Sequence, residues 1–219
     1  MTPQIAILVE GQTEEAFVKL VLQPFIGFDV AYLTPIVVHT SRTANGTAFR
    51  GGGSWRHYET QLKGLLGQSH WHLVTTMIDF YGYPSDGPAC SCDGNHRQPA
   101  CVDEREKGMK DALSNDKRFR PFVALHEFET LVIAAGSTQT LVLDEAGAAE
   151  TFRELVAEYN GDAELINNGP TTAPSKRVLA AIPDYRKVRD AVEVLEHSLP
   201  AGLTHTPRFR MWVEALGMS

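Results

Sequence analysis

No apolar stretch in the 219 residues approaches the ~20 that a membrane-crossing helix requires, so a membrane role is not expected. Cysteine is scarce. The three present fall between Cys90 and Cys101, which is not the framework of a disulfide-stapled secreted domain. No basic segment precedes the first apolar run, and that run is strand-like, so the expectation is a cytoplasmic protein without a signal peptide. Basic excess is missing as well. A net charge of −7 excludes a chain coated in nucleic-acid-binding surface, though not a local basic groove beside an acidic metal site. Gly51-Gly52-Gly53 is not followed by a Walker lysine, and neither a dinucleotide fingerprint nor a nucleophile-elbow serine is found.

What is present begins with Ile5-Ala6-Ile7-Leu8-Val9, an apolar run that ends in Glu10-Gly11 and is followed by the helical start Thr13-Glu14-Glu15. Such a run predicts a buried parallel strand feeding a βα unit. A second run, Leu73 to Ile78, ends in Asp79, and a third, Phe122 to Leu125, runs into His126-Glu127-Phe128-Glu129. In open α/β sheets the ligand site lies off the carboxyl ends of the strands. Three strands each delivering a carboxylate there predict a magnesium or manganese site, because hard oxygen donors select hard cations.

Between these strands, Phe17, Leu20 and Val21 give a helix capped by Thr13 and ended near Pro24. Val30 to Thr40 is β-rich, and Ser54 is placed to cap a helix bearing Trp55, Tyr58, Leu62 and Leu65. Residues 80–101 form a long irregular loop, unusual without a function or a staple. Helices are expected over 102–114, 145–159, 175–182, 185–197 and 209–216, with a strand over 120–125. The pattern predicts an α/β fold with a mostly parallel, Rossmann-like sheet flanked by helices. Residues 1–135 form the α/β domain with its Cys/His loop inserted, and 136–219 a helical extension packed on it.

Glu10 and Asp79 are the leading metal ligands and catalytic acids. Glu127 and Glu129 share a face only if their segment is extended. Glu127, nearer the strand end, is preferred, with Glu129 kept beside it. The segment 176–189 carries Lys176, Arg177, Arg186, Lys187 and Arg189 against Asp184 alone, a net +4 in an acidic chain. Lys176 is the candidate to stabilise developing phosphate charge, and Lys176, Arg177 and Lys187 are nucleic-acid-binding candidates. A solvated helical face is the plain alternative. Cys90, Cys92, His96 and Cys101 spell C-x-C-x3-H-x4-C, the donor set of a closed structural zinc site. A disulfide or unligated thiols are the alternatives.

Val9-Glu10-Gly11 with Thr13-Glu14, and Ile78-Asp79-Phe80-Tyr81-Gly82, resemble the TOPRIM domain of topoisomerases, primases and OLD-type nucleases. His126 to Leu131, Pro174 to Arg177, Ile182 to Tyr185 with Lys187, and Pro207 to Trp212 are similar to a bacterial family of small standalone TOPRIM-like proteins often encoded beside an ABC/AAA-type ATPase. The resemblance implies a parallel sheet, a divalent-metal site, and nucleic-acid cleavage in genome defence with an ATPase partner. Glu10 then matches the TOPRIM glutamate and Asp79 the first aspartate of its Asp-x-Asp pair. Tyr81 stands where the second aspartate would be, leaving Glu127, Glu129 or Asp86 to compensate. A catalytically weak nucleic-acid-binding or regulatory scaffold is the competing expectation.

Overall fold

The first apolar run is strand β1 (Gln4–Val9), buried at every position after Gln4. It leads into α1 (Gln12–Phe17), a π-helical turn at Val18–Leu22, and α2 (Gln23–Ile26). Next come β2 (Tyr32–Val37), an antiparallel pair β3 (His39–Arg42) and β4 (Ala48–Arg50), α3 (Trp55–Leu66) and β5 (Leu73–Asp79). Then follow α4 (Pro99–Ala112), the short strands β6 (Phe119–Arg120) and β7 (Val123–Ala124), and α5 (Glu129–Gly136). The remainder is helical: α6 (Ala148–Glu158), α7 (Pro174–Ala181), α8 (Lys187–Gly202) and α9 (Pro207–Gly217). This computed structural model describes residues 2–42, 48–50, 53–91, 99–138, 147–166, 169 and 171–217.

The main sheet has the order β2-β1-β5-β6, with β7 pairing further along β5, and every one of these pairings is parallel. β1 alternates between two buried faces, which is why its sequence is a continuous apolar run rather than an in-out pattern. Ile5, Ile7 and Val9 pack on one side with Met77, Phe128, Leu195 and Phe209. Ala6 and Leu8 pack on the other with Tyr58, Leu62, Val102 and Met109. The sheet is therefore sandwiched between α3 and α4 on one face and α1, α5, α8 and α9 on the other. The C-terminal helices share the apolar cluster of β1. α5 is buried along its whole length, and α8 crosses it so closely that a methyl at Gly202 would meet the Ala135 backbone at 3.0 Å. No helix among the described residues is long and apolar enough to cross a membrane.

Several local expectations are corrected. α1 starts two residues earlier than a Thr13 cap requires. Its N-cap is Gly11, whose N–H donates to Glu14 Oε2 at 3.0 Å. Pro24 does not stop the helical chain. It has no N–H for the Leu20 carbonyl, and the ladder widens into the π turn and continues to Gly27, which turns out at φ +92°. Gln23, buried there, clamps the next connection by donating to the Ala31 carbonyl (3.0 Å) and accepting from Leu33 N–H (2.7 Å). Ser54 makes no side-chain cap. The N–H of Trp55 is taken by Asp86 Oδ1 at 2.8 Å. The expected strand over 120–125 is split at Pro121, which cannot donate. The Thr76 hydroxyl fills the gap, accepting from Phe122 N–H and donating to the Phe122 carbonyl, both at 2.9 Å.

Candidate active site

Parallel pairing of β1 with β5 sets Val9 opposite Met77, so the residues that follow each strand emerge on one sheet edge. Glu10 Oε2 accepts the Asp79 backbone N–H at 3.3 Å, and Glu10 Oε1 accepts the Tyr58 hydroxyl from α3 at 3.3 Å. Gly82 lies against the same carboxylate. A Cβ at that position would stand 2.7 Å from Glu10 Oε1 and 3.0 Å from Oε2, so the close approach needs glycine. The Asp79 carboxylate accepts the Phe128 backbone N–H.

The electrostatics follow from burial. Loss of water pushes the Glu10 carboxyl up to about 7. The Glu14 charge adds to this, while the Asp79 N–H, the Tyr58 hydroxyl and Lys187 pull the other way. Asp79 is raised well above the usual carboxylate range, first by burial and then by the Glu10 and Glu14 charges. Glu14 is itself buried. Like charges gathered where water has limited access favour either a shared proton or a cation between them.

Glu129 is 1% exposed. Its Oε1 pairs with Lys187 Nζ at 3.1 Å, and its Oε2 has no hydrogen-bond partner among the described residues. Burial raises its pKa, opposed by Lys187. For Lys187 burial disfavours the charge, but Glu129, with Asp79 and Glu14, outweighs it and raises the ammonium above its ordinary value. Lys187 is thus the cation that faces the acids, at the first residue of α8. Glu127 points elsewhere: its Oε2 accepts the Ser175 N–H at 2.9 Å and satisfies the start of α7. Lys176 is exposed on α7 and makes no ion pair among the described residues, and Arg177 Nε donates to the Thr172 carbonyl at 2.9 Å. Asp86, engaged with Trp55, is not part of the acid cluster.

The cluster therefore unites Glu10, Glu14, Asp79 and, through Lys187, Glu129. Glu14, and Tyr58 that donates to Glu10, escape a sequence search. Glu14 reads as a helix-start acid complementing the dipole. Tyr58 reads as a core residue, although a fully buried tyrosine hydroxyl needs a partner, and that need was the available signal. Among the described residues, no three His, Cys, Asp or Glu side chains converge tightly enough to ligate a metal as they stand. The oxygen donors nevertheless suit a hard divalent ion in chemistry, with the buried Glu14 and Glu129 beside the half-buried Glu10 and Asp79 and one Glu129 oxygen unpartnered among the described residues, while the Lys187 ammonium balances part of their charge. In the second constellation, Cys101 is buried in the first turn of α4 and Cys90 is half-buried before it, while Cys92 and His96 lie outside the described residues. The described part of that loop is held to α4 by Arg105, whose guanidinium lies 4.9 Å from the Phe80 ring and 4.5 Å from the Tyr83 ring.

The family model described as Domain of unknown function (DUF4276) matches residues 9–217, a span that contains every acid of the cluster. No curated protein and no solved structure matches the chain.

Proposed function

The chain belongs to the DUF4276 family, and we propose that it is a TOPRIM-type phosphodiester hydrolase, dependent on magnesium or manganese and acting on nucleic acid. The observation that carries this is the hydrogen bond from the Asp79 backbone N–H to the Glu10 carboxylate, which sets two acids 69 positions apart side by side at the carboxyl edge of a parallel sheet. Glu10 and Asp79 would hold the ion, with Glu14 or Glu129 completing the donors. Once bound, such an ion supplies charge for the attacking and leaving oxygens of a phosphodiester. The protein's own share is distinct. Tyr58 and the Asp79 N–H fix the orientation of Glu10, burial keeps water from screening the acids, and Lys187 offers positive charge beside the place where a phosphate would lie. The resemblance to standalone TOPRIM-like proteins adds a cytoplasmic role in bacterial genome defence with an ABC/AAA-type ATPase. The C-x-C-x3-H-x4-C spacing adds a structural zinc ion held by Cys90, Cys92, His96 and Cys101.

Glu10→Gln and Asp79→Asn should each abolish manganese-dependent cleavage of DNA and RNA while leaving thermal unfolding cooperative. Unchanged cleavage in both variants would overturn the proposal. A catalytically weak binding or regulatory subunit is the alternative. It is favoured by Tyr81 in place of a second aspartate and by Lys187, which already neutralises part of the cluster. Calorimetric titration with manganese separates the two: heat that disappears in Glu10→Gln supports the hydrolase, and no heat supports the subunit.

A further inference from the structure

Tyr81 is 71% exposed, whereas Tyr58 and Tyr83 are buried in one apolar cluster. Its backbone is anchored, the N–H donating to the His126 carbonyl at 3.4 Å. It stands two residues beyond Asp79, a reach of at most about 7 Å. Residues 126–129 position the rest of the rim in the same way. Glu127 binds the N–H of Ser175, next to the exposed Lys176; Phe128 N–H holds Asp79; and Glu129 holds Lys187, preceded by the exposed Arg186, while Arg189 pairs with Asp190. One short segment thus lies against an open aromatic residue, the acids, and two helix starts that carry exposed cations, of which Lys187 faces the acids.

Cations that follow a backbone, together with a solvent-facing ring, form the composition of a single-strand groove, since every unpaired base has a face to stack. In a duplex those faces are already covered by neighbouring base pairs. Resting on the assignment of Glu10 and Asp79 to phosphodiester chemistry, we propose that Tyr81 is a stacking platform for an unpaired base beside the scissile phosphate. The substrate is then single-stranded nucleic acid. Tyr81 acts as a positioning residue, and the side chain that departs from the Asp-x-Asp pattern has its own use.

The test is fluorescence anisotropy with the full chain in calcium, using a short labelled mixed-sequence oligonucleotide presented single-stranded, annealed to its complement, or as an abasic backbone. The single strand should bind more tightly than the duplex. Tyr81→Ala should weaken that binding roughly 5- to 150-fold, the range measured for base–aromatic stacking. Tyr81→Phe should restore it, and the abasic strand should not distinguish wild type from Tyr81→Ala. Equal binding of the strand by wild type and Tyr81→Ala, preference for duplex, or no binding at all would overturn the proposal. Cleavage separates its failure from that of the hydrolase assignment. Stacking on Tyr81 without metal-dependent cleavage rejects the hydrolase, and Glu10-dependent cleavage unaffected by Tyr81→Ala rejects the platform.

Discussion

The Tyr58 hydroxyl donates to Glu10 Oε1 at 3.3 Å, joining a helix on one face of the sheet to the acid that ends its central strand. Tyr58 is fully buried, and that burial, with the neighbouring carboxylates adding to it, raises its own pKa. The bond is therefore a fixed donor to a carboxylate that has few others. Tyr58→Phe keeps the ring stacked against Trp55 and removes only the donor. The expected cost is about 1 kcal/mol in chemical denaturation. Manganese binding measured by calorimetry should weaken more than that figure alone implies, because Glu10 is then free to turn away. Unaltered manganese affinity would show that Tyr58 does not orient Glu10.

Gly82 sets a second constraint on the same carboxylate. A methyl at this position would overlap Glu10 Oε1 at 2.7 Å, and Glu10 is pinned on its other side by Tyr58 and the Asp79 N–H. Gly82→Ala should therefore displace the acid rather than the backbone. The prediction is a loss of cleavage comparable to that of Glu10→Gln, with a melting temperature close to wild type. A variant equally active and equally stable would mean that Glu10 relocates without consequence.

Much of this arrangement is legible from local sequence, for a definite reason. β1 and β5 are buried on both faces, so β1 is an unbroken apolar run and β5 is interrupted only by the buried Thr75 and Thr76, and the first charged residue of each marks the sheet edge. That logic places Glu10 and Asp79 on one rim without knowledge of any contact. It fails where the partner comes from a distance. Nothing around Glu127 announces that the start of α7 arrives 48 residues later to take its carboxylate, nor that Asp86 comes in to accept the first N–H of α3, where Ser54 makes no cap. It also fails where a single residue is weighed by its average behaviour. Pro24 and Pro121 each lack the N–H that a ladder needs, but a π turn carries the helical chain past the first, where an end was expected, and a threonine hydroxyl bridges the second, where an unbroken strand was expected.

The pair of Lys187 and Glu129 yields a test of coupling. Removing the ammonium leaves a buried carboxylate with neither oxygen ion-paired, so Lys187→Met should destabilise the fold, and more so as pH rises and Glu129 ionises. Glu129→Gln removes the buried charge and should be better tolerated. The double variant is expected to be more stable than Lys187→Met alone, an interaction measurable by urea denaturation of all four proteins. Strict additivity would show that the two side chains do not depend on each other.

Glu164 offers a pH dependence away from the acid cluster. It is buried, accepts the Arg208 N–H at 2.6 Å and the Phe209 N–H at 3.2 Å, and so caps the start of α9. Burial nonetheless raises its pKa from 4.5 to about 7, the Asp162 charge adding to this and the two N–H groups and Arg208 opposing it. A carboxyl whose folded pKa lies above its unfolded one binds more protons when folded. Its contribution is fully present below about pH 4.5 and is lost as pH rises to about 7. Between pH 5 and 8 that loss is roughly 2–3 kcal/mol. Glu164→Gln retains a carbonyl oxygen for both N–H groups but cannot ionise. It should therefore match wild type near pH 5 and exceed it at pH 8. Glu10 and Asp79 impose a slope of the same sign on both proteins, so only the difference between them reports Glu164. Parallel stability curves across that range would show that the Glu164 carboxyl titrates alike in the folded and unfolded chain.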